Sequence, residues 1–567
     1  MPGLPPARRL VCAPEPDGRA RPGVTDGVPS RAFRRRADDA VLLASAAVVL
    51  TGFVLAEHRL AGTVGLPLDD GWIHLRVATN LAHGRGFGIN PGEPLAVSTA
   101  PLWTLGLAGA IRLGLPGLVA TKILGVAGYL GTALLTRRAA LAVGAGRGAA
   151  LAAALGAVGL GRLAWGALSG MEVPLAAELV AGAVLAVLRM RPWLASLLLG
   201  LATLARPEAG LFVALHGVAA GRVRAGLGRV TLAGLVLAPA VAFNVATTGR
   251  VVPLPAAAKV EGGLLGRAEG LSGAWRIGAT RTVAYLGEWI RLLLADHWAL
   301  PVLLAVGLIV LFRRRSALRW LGLALVLHPL ATAVVAPYRG PAFQTGRYSS
   351  HLLPLALVVG AAGLSWVLTT LRAGGRGALG AAPAPLPGDP AAGATRTMEP
   401  PRLAAATLMV VLALGLVGRL GPAARAYGWG VQNIDAMQVA LGRWVARETP
   451  PDALVAVNDI GALSYFGDRR ILDLMGLATP AVLPYRRAGP AGVTRFVEAR
   501  CPDYVVIFPE WFPELAARDD LLFPVTRVRL AHNAVAGGVE MAVYETVWRR
   551  ERPGRRPCGE TLAQAQR

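Results

Sequence analysis

The sequence predicts a polytopic α-helical membrane protein with about 11–13 transmembrane helices, followed by a small C-terminal extracytoplasmic α/β domain. Hydrophobic residues make up 54% of the 567 residues and charged residues only 16%, a balance that is too apolar for an ordinary soluble chain. Apolar runs long enough to cross roughly 30 Å of hydrocarbon recur through most of the first half and beyond, and short Arg clusters separate many of them. The last part of the chain instead alternates strand-like and helix-like segments.

The formal net charge of +24 would suggest nucleic acid as a partner of a soluble protein. Here the Arg residues lie in short loops and near the N-terminus, as the positive-inside rule expects, and aromatic residues do not interleave with them. The sequence therefore predicts the lipid bilayer as a partner and no nucleic acid.

Composition divides the chain into four parts. Residues 1–38 are rich in Pro, Gly and Arg and are predicted to be a disordered cytoplasmic N-terminus. The apolar run 41–55 reads as a signal anchor that opens a transmembrane domain over 39–420. Within that domain, the Pro/Gly/Ala-rich stretch 373–401 is predicted to be a flexible linker inside the cell. An extracytoplasmic α/β domain at 421–547 and a tail at 548–567 complete the division.

Membrane crossings can be counted back from the unambiguous Arg clusters near the C-terminus. Apolar runs are found near 174–189, 193–204, 210–221, 229–248, 299–312, 318–336, 351–371 and 403–420. This places the segment 248–298 outside. Between 103 and 167 three apolar runs occur where the alternation needs an even number of crossings, so one run is a hairpin or falls short of a full span.

Strand-like and helix-like segments alternate through 421–547. VAVNDIGALSYF and RRILDLMGL are typical of strand, short helix and strand, and PDYVVIF of another buried strand. The segment VTRVRLAHNAVAGGVEMAVYETV predicts a hairpin about Gly537 and Gly538.

The segment 69–103, which follows the signal anchor, concentrates charged groups on an apolar background. Residues 71–83 predict an amphipathic helix along the outer membrane surface. Asp69 and Asp70 precede it, and His74 and Arg76 lie on it. An N-cap would be an ordinary structural role for Asp70, but two carboxylates beside His74 and Arg76 at a membrane edge form a cluster that requires a function.

These residues carry a family resemblance. DD at 69–70, HLR at 74–76, NLAHGRGFGINPGE and STAPLW resemble the first outer loop of bacterial GT-C glycosyltransferases, in particular actinobacterial arabinofuranosyltransferases. Further matches follow in order: SGMEVPL at 169–175, LARPEAG at 204–210, GRVVPLPAAAK at 249–259, FQTGRYSSHLLPL at 343–355 and VNDIGALSYFGDRRILDLMGL at 457–477.

The resemblance implies a membrane enzyme at the cell (plasma) membrane with its active site on the extracytoplasmic face. It would transfer a sugar from a polyprenyl-phosphate donor to a glycan, lipid or protein hydroxyl with inversion, and an Asp of the first outer loop would be the general base. Because Asp70 is the better-placed N-cap, it is predicted to cap the helix and orient the acceptor, and Asp69 is predicted to be that base. Lys259, Arg347 and Arg206 are predicted to line the donor phosphate site. No cofactor is predicted, no metal ligand is assigned, and dependence on a divalent cation is left open.

The remaining candidates for substrate binding are His74, Arg76, Glu172, Glu208 and Tyr348, and several have an alternative structural role. Ser169 to Glu172 fits a capping box. Arg206 and Glu208 fit an ordinary loop pair. Arg347 and Tyr348 fit anchors at the membrane interface.

Departures from the family pattern affect specificity rather than the base. DDGWI replaces the more usual DDAYI and STAPLW replaces TSPLW, so two hydroxyls that could contact the sugar are missing. The alternative functions are a transporter or flippase of lipid-linked glycans and a non-enzymatic assembly protein. A transporter would be expected to carry an inverted repeat, which the sequence does not show.

Overall fold

The structure is a computed structural model that describes residues 31–261, 271–335, 340–372 and 400–551. The predicted linker 373–401 therefore lies almost entirely outside the described residues, as does most of the predicted N-terminal segment 1–38 and of the tail 548–567. The described start of the chain is already helical at Arg31. The prediction that disorder extends to residue 38 is therefore wrong for its last residues.

Helices account for the described membrane part. Their bounds are α1 (Arg31–Ala61), α2 (Asp69–Ala82), α3 (Pro101–Arg112), α4 (Gly117–Ala142), α5 (Arg147–Gly159), α6 (Gly161–Leu168), α7 (Val173–Leu188), α8 (Pro192–Ala205), α9 (Gly210–Val218), α10 (Val223–Thr248), α11 (Leu254–Glu261), α12 (Leu271–Asp296), α13 (Leu300–Arg313), α14 (Arg319–Gly322), α15 (Ala324–Val335), α16 (Phe343–Gly346), α17 (Leu353–Arg372) and α18 (Pro400–Ile434). Pro stands in the first turn of α3, α7 and α8, where its missing N–H breaks no intrahelical bond.

Length and composition support a multi-pass membrane protein. Within the described ranges, five helices are long and apolar enough to cross a membrane, and seven if each of two bent helix pairs is one span. The shorter apolar helices α7 and α8 add to these. The criterion thus identifies fewer spans than the 11–13 expected, because helices such as α9 and α15 are shorter than a bilayer crossing requires.

The structure indicates how many membrane crossings lie between residues 103 and 167. Helix α3 has 12 residues and is about 18 Å long, which is too short to span the hydrocarbon. Helix α4 is a full-length span, and α5 with α6 forms a single span bent by 50°. Two crossings therefore remain, as the alternation of the Arg clusters requires.

Two helices differ from the sequence prediction. The segment 248–298, predicted as an outer loop, contains the 26-residue helix α12, which meets α13 at 109°. Trp289 of α12 donates a hydrogen bond through Nε1 to the carbonyl of Leu325 at 3.0 Å and so fixes α12 against α15. Helix α18 runs through the predicted domain boundary at 421 without a break, so the span and the start of the outer domain are one helix.

Buried polar contacts join the membrane helices. Lys122 of α4 donates to the carbonyls of Gly65 and Leu168, both at 2.8 Å, and lies 3.4 Å from Glu57 of α1. Tyr427 of α18 contacts the same lysine. Because each group is satisfied by another, this network fixes α1, α4 and α18 together without an exposed charge.

The C-terminal part is a small α/β domain, as predicted. It contains α19 (Ala440–Glu448), β1 (Leu454–Val457), α20 (Gly461–Gly467), β2 (Arg470–Asp473), α21 (Leu483–Arg487), α22 (Pro490–Arg500), β3 (Tyr504–Ile507), α23 (Pro513–Ala516), β4 (Leu522–Arg529), β5 (Glu540–Thr546) and α24 (Val547–Glu551). The sheet order is β2-β1-β3-β5-β4. Strands β2, β1 and β3 are parallel, and β3, β5 and β4 are antiparallel.

Helix α2 lies between the membrane part and the α/β domain rather than on an open membrane surface. It packs against α3 on one side and α20 on the other. Its polar residues His74, Arg76 and Asn80 are buried together with its apolar ones. The amphipathic pattern predicted the helix correctly but not the second layer that covers its polar face.

Candidate functional site

The two aspartates that open α2 point to different partners. The N-cap position of α2 is Leu68 and no side chain caps the helix, so the predicted capping role of Asp70 is wrong. Asp69 accepts hydrogen bonds from the backbone N–H groups of Gly461 at 2.8 Å and Ala462 at 2.7 Å, at the start of α20. Its carboxylate therefore caps a helix of the other domain, whereas the Asp70 side chain is 40% exposed.

Asp70 contacts the buried Arg347, whose Nη1 lies 2.5 Å from Oδ2 of the carboxylate. Arg347 Nη2 donates to the hydroxyl of Tyr348 at 3.2 Å. The Tyr348 ring also lies beneath two guanidinium groups, at 5.0 Å from that of Arg347 and 5.4 Å from that of Arg206. Since such rings attract cations through their faces, Tyr348 keeps two positive groups close to each other.

Arg206 continues the network toward Glu172. Its Nη1 donates to Glu172 Oε1 at 2.5 Å, and its Nη2 lies 3.5 Å from Glu208. Burial by itself would raise the pKa of Glu172, but the Arg206 charge and the hydrogen bond with His74 outweigh it and lower this pKa to about 2. Glu172 is therefore an anion throughout the physiological range.

His74 joins this network to the first outer loop. Its Nε2 lies 3.4 Å from Glu172, and Nδ1 is 3.1 Å from the hydroxyl of Thr104 and 3.3 Å from that of Ser98. Trp103, from the same STAPLW segment, donates to the carbonyl of Gly170 at 2.9 Å. The segment therefore holds the loop before α7 against α2.

The contacts of Ser169 and Glu172 distinguish a capping box at the start of α7 from a role in the charged network. Ser169 donates to the carbonyl of Gly166 and accepts from the N–H of Met171, and no side chain caps α7. The capping-box prediction is wrong, because the Glu172 side chain is turned to Arg206 and His74.

A strained turn presents Arg347. Gln344 and Thr345 have φ values of 46° and 61°, and Gly346 follows at 71°. Left-handed backbone is unfavourable for a β-branched residue such as Thr345 and is found mostly at functional sites. Arg162 braces the turn by donating to Ser349 Oγ at 3.0 Å.

Several buried polar atoms of this region have no hydrogen-bond partner within the described part of the chain. They are Nε of Arg206, Nε of Arg347, Oε2 of Glu208, Oε1 of Gln344 and both ring nitrogens of His328 and of His351. The two histidine rings lie 5.0 Å apart. Buried polar groups are rarely left unpaired, so these atoms mark a place for water or a polar ligand.

The structure thus brings together Asp70, His74, Glu172, Arg206, Glu208, Arg347 and Tyr348, and we call this set the charged cluster. Arg76 is used elsewhere, because it donates to the carbonyl of Ile89 at 3.1 Å and to Asp468 at 2.9 Å. Lys259 falls in α11, which meets the first loop where Leu254 N–H donates to the carbonyl of Ala96 at 3.0 Å. The Lys259 side chain lies outside the described residues.

Sequence reasoning missed Gln344, His328 and His351. His351 lies in the motif at 343–355, from which only Arg347 and Tyr348 were predicted as site residues. His328 lies in an apolar run, and an ionisable residue at such a position is itself a sign of function. The signal was therefore present in the sequence.

Asp459 and Asp473 each end a parallel strand in the C-terminal domain. Asp473 accepts from the N–H groups of Met475 at 2.7 Å and Ala478 at 2.6 Å, so its carboxylate braces the loop that follows β2. Asp459 is held by Gln438 at 2.9 Å and faces the carboxylates of α2. Burial, and then the charges of Asp70 and Asp473, outweigh the hydrogen bonds of Gln438 and Asn458 and raise the pKa of Asp459 to about 6. Burial and Asp459 likewise raise the pKa of Asp69.

Comparisons with solved structures find a similar fold in two other proteins. The oligosaccharyltransferase AglB of Archaeoglobus fulgidus, in complex with an inhibitory peptide and a dolichol-phosphate, aligns over 84% of this chain and 70% of its own at 13% identity, with a TM-score of 0.54. ArnT of Cupriavidus metallidurans, bound to undecaprenyl phosphate, aligns over 89% of this chain and 98% of its own at 12% identity, with a TM-score of 0.51. The chain has the GT-C fold.

The predicted resemblance is therefore confirmed at the level of the GT-C fold. The arabinofuranosyltransferase AftD from mycobacteria aligns more loosely, over 91% of this chain and 42% of its own at 16% identity, with a TM-score of 0.44. A family model described as Domain of unknown function (DUF8728) matches residues 432–554, which include the α/β domain. A comparison with curated protein sequences finds no match.

Proposed function

We propose that the protein is a membrane glycosyltransferase that transfers a sugar from a polyprenyl-phosphate donor to an acceptor hydroxyl, with inversion and with Asp70 as the general base. The contact between Asp70 and Arg347 carries this proposal, because it places a partly exposed carboxylate beside a buried cation. The GT-C fold supports the reaction class, since AglB and ArnT were solved with polyprenyl-type phosphates bound. Fold alone does not select a substrate.

Asp70 replaces Asp69 as the proposed base because of what each carboxylate contacts. The oxygens of Asp69 accept two backbone N–H groups, which fixes the side chain in a capping role. Asp70 remains accessible at the edge of the charged cluster. A carboxylate within hydrogen-bond reach of an acceptor hydroxyl can take its proton as the oxygen attacks the anomeric carbon.

The leaving group requires positive charge close to that base. As the new glycosidic bond forms, the bond from the anomeric carbon to the phosphate oxygen breaks and polyprenyl phosphate leaves as an anion. Arg347 and Arg206 supply fixed guanidinium groups whose Nε atoms have no partner among the described residues, and such groups stabilise the developing charge. Lys259 is proposed as a third cation at this site.

Arg347 also links donor binding to the base. In the structure its Nη1 is engaged by Asp70. A phosphate that binds Arg347 would compete with Asp70 for the same guanidinium and leave the carboxylate available for the acceptor proton. Binding of the donor would therefore activate the base.

The distribution of charge supports the proposed membrane orientation. Arg189, Arg191, Arg222 and Arg224 lie at the ends of helices opposite to the charged cluster, and the positive-inside rule places those ends in the cytoplasm. This observation supports an extracytoplasmic cluster at the plasma membrane.

A transporter or flippase of lipid-linked glycans is the second candidate. The two bent helix pairs, α5 with α6 and α12 with α13, favour it, because interrupted helices mark the binding sites of many transporters. The breaks are joined by a buried ion pair between Arg162 and Asp296. Proteoliposomes distinguish the two functions, since a flippase moves lipid between leaflets without forming a glycosidic bond.

The first test identifies the product and the base together. Mass analysis of cell-envelope glycans with and without the gene reports which linkage is lost, and complementation with Asp70→Asn and Asp69→Asn reports which carboxylate is needed. We expect Asp70→Asn to lower turnover by about a hundredfold or more, the usual scale for a positioned base. Asp69→Asn should retain more activity, since Asn also caps helices.

The second test uses undecaprenyl phosphate as the probe. Arg347→Gln should weaken its binding about tenfold or more through loss of a charge-assisted contact. Asp70→Asn should bind it as tightly as the unsubstituted protein or more tightly, because the competitor for Arg347 is gone. Weaker binding by Asp70→Asn, or near-normal turnover of that variant, would remove Asp70 from the proposed role.

A further inference from the structure

A basic cavity lies at the opposite ends of the helices that carry the charged cluster. Helix α7 begins next to Glu172 and ends two residues before Met190, and α8 begins at Pro192 and ends next to Arg206. The 16 residues of α7 span about 24 Å, which is most of a bilayer core. A cavity of about 150 Å³ is lined at the far end by residues of α7, α8, α9, α10 and α14 and of the loops that adjoin them.

The lining of this cavity is strongly cationic. Arg229, Arg315 and Arg319 line it, with Arg229 and Arg319 half-buried and Arg315 exposed. The residues that line it lie in the segments 179–207, 209–260 and 297–388, which contain no Asp or Glu. No neighbouring acidic residue in these segments therefore neutralises the three guanidinium groups.

The cavity also contains uncharged polar groups. His216 is buried, and its Nε2 lies 3.0 Å from the carbonyl of Pro192, whereas Nδ1 has no partner in the described part of the chain. Arg229 donates through Nη1 to the carbonyl of His216 at 3.0 Å. Ser316 adds a hydroxyl. Guanidinium, imidazole and hydroxyl groups together are suited to a phosphate.

The rim of the cavity includes exposed apolar side chains. Met190, which lines the cavity, is 77% exposed, and Trp193, next to the lining residue Pro192, is 57% exposed. Trp is typical of the membrane interface. Met190 and Arg315 have positive φ values of 56° and 49°, so the backbone on both sides of the opening is held in an unfavourable conformation. Such strain often accompanies a binding site.

We propose that this cavity binds the phosphate headgroup of an anionic phospholipid, drawn from the leaflet opposite the charged cluster. The three arginines provide the attraction, the buried polar groups orient the phosphate, and the apolar rim receives the acyl chains. The inference does not depend on sugar transfer, because the cavity lies at the other end of α7 and α8.

Native mass spectrometry of the purified full-length protein can test this. Delipidated protein would be titrated with phosphatidylglycerol, phosphatidylcholine and inorganic phosphate. We expect a preference for phosphatidylglycerol, and Arg229→Gln combined with Arg319→Gln should weaken its binding about tenfold or more. Arg315→Gln, at an exposed position, provides a second variant if the double variant does not fold.

The matched control is Arg222→Gln combined with Arg224→Gln, which removes two exposed charges from the same side without touching the cavity lining. This control should bind phosphatidylglycerol almost normally. An equal loss in the control would mean that diffuse surface charge attracts the lipid, and equal binding of phosphatidylcholine would remove the headgroup preference. Competition by inorganic phosphate as strong as that by the lipid would identify a free phosphate compound instead; each of these three results overturns the proposal.

Discussion

Asp459 shows, at the residue scale, how burial where the membrane part meets the α/β domain raises the pKa of a carboxyl group. Its pKa of about 6 is above the value of about 3.9 expected in an unfolded chain. The folded protein therefore holds this proton more tightly than the unfolded chain does. The resulting stabilisation is complete below about pH 4 and is lost as the pH rises through about 6.

Replacement of Asp459 by Asn should consequently raise the melting temperature above pH 6. The gain corresponds to at most about 3 kcal/mol for a shift of about two pKa units, and it should disappear as the pH falls toward 4. Thermal unfolding followed from pH 4 to pH 8 measures this. Asp452→Asn, at an exposed position, should show no such trend, and an Asp459→Asn gain that does not vary with pH would contradict the explanation.

At the residue scale, the sequence predicted the members of the site but not the partners of its two aspartates. The motifs identified every member of the charged cluster, because charged residues in outer loops of a membrane protein are informative by themselves. They did not distinguish Asp69 from Asp70. The partners of Asp69 are Gly461 and Ala462, which are distant in sequence, and no local pattern could indicate that α20 would use this carboxylate as its cap.

At the scale of elements, α2 and α20 form the contact between the membrane part and the α/β domain. A Cβ added to Gly461 would lie 2.1 Å from the backbone oxygen of Asp69. Gly461→Ala should therefore push α20 away from α2 and destabilise the docked domain by about 1–3 kcal/mol, as overpacking usually does. Limited proteolysis and thermal unfolding measure the effect.

Gly418→Ala is the control for this change. Nothing lies within 4 Å of a Cβ at Gly418, and Ala is favoured over Gly inside a helix, so this variant should be as stable as the unsubstituted protein or slightly more so. If Gly461→Ala behaves like Gly418→Ala, the close approach of the two helices is not needed for docking.

Helix bounds were predictable wherever apolar runs were separated by Arg, Gly or Pro. The predicted runs 174–189, 299–312 and 351–371 correspond closely to α7, α13 and α17. Helix α12 was missed because its charged residues interrupt the apolar pattern, and it packs along α15 instead of crossing the membrane as a straight span. Tertiary contacts of this kind leave little trace in local sequence.

At the scale of the whole molecule, the membrane topology determines which side of the bilayer carries the charged cluster, the α/β domain and the basic cavity. We expect a Cys introduced at Glu514, which is exposed in the α/β domain, to react with a membrane-impermeant reagent in intact cells. A Cys at Arg222, exposed at the other end of the helices, should react only after permeabilisation. Labelling is measured against the unsubstituted chain, and the opposite pattern would reverse the orientation.

The pairing of Asp70 with Arg347 has a consequence for water. Under the proposed function, a free carboxylate beside an activated sugar could deprotonate a water molecule as readily as an acceptor hydroxyl, and the donor would be wasted by hydrolysis. In the structure Arg347 pairs with that carboxylate. The pairing would restrain the acid–base group until a phosphate took its place on Arg347, at a moment when the acceptor could already be bound.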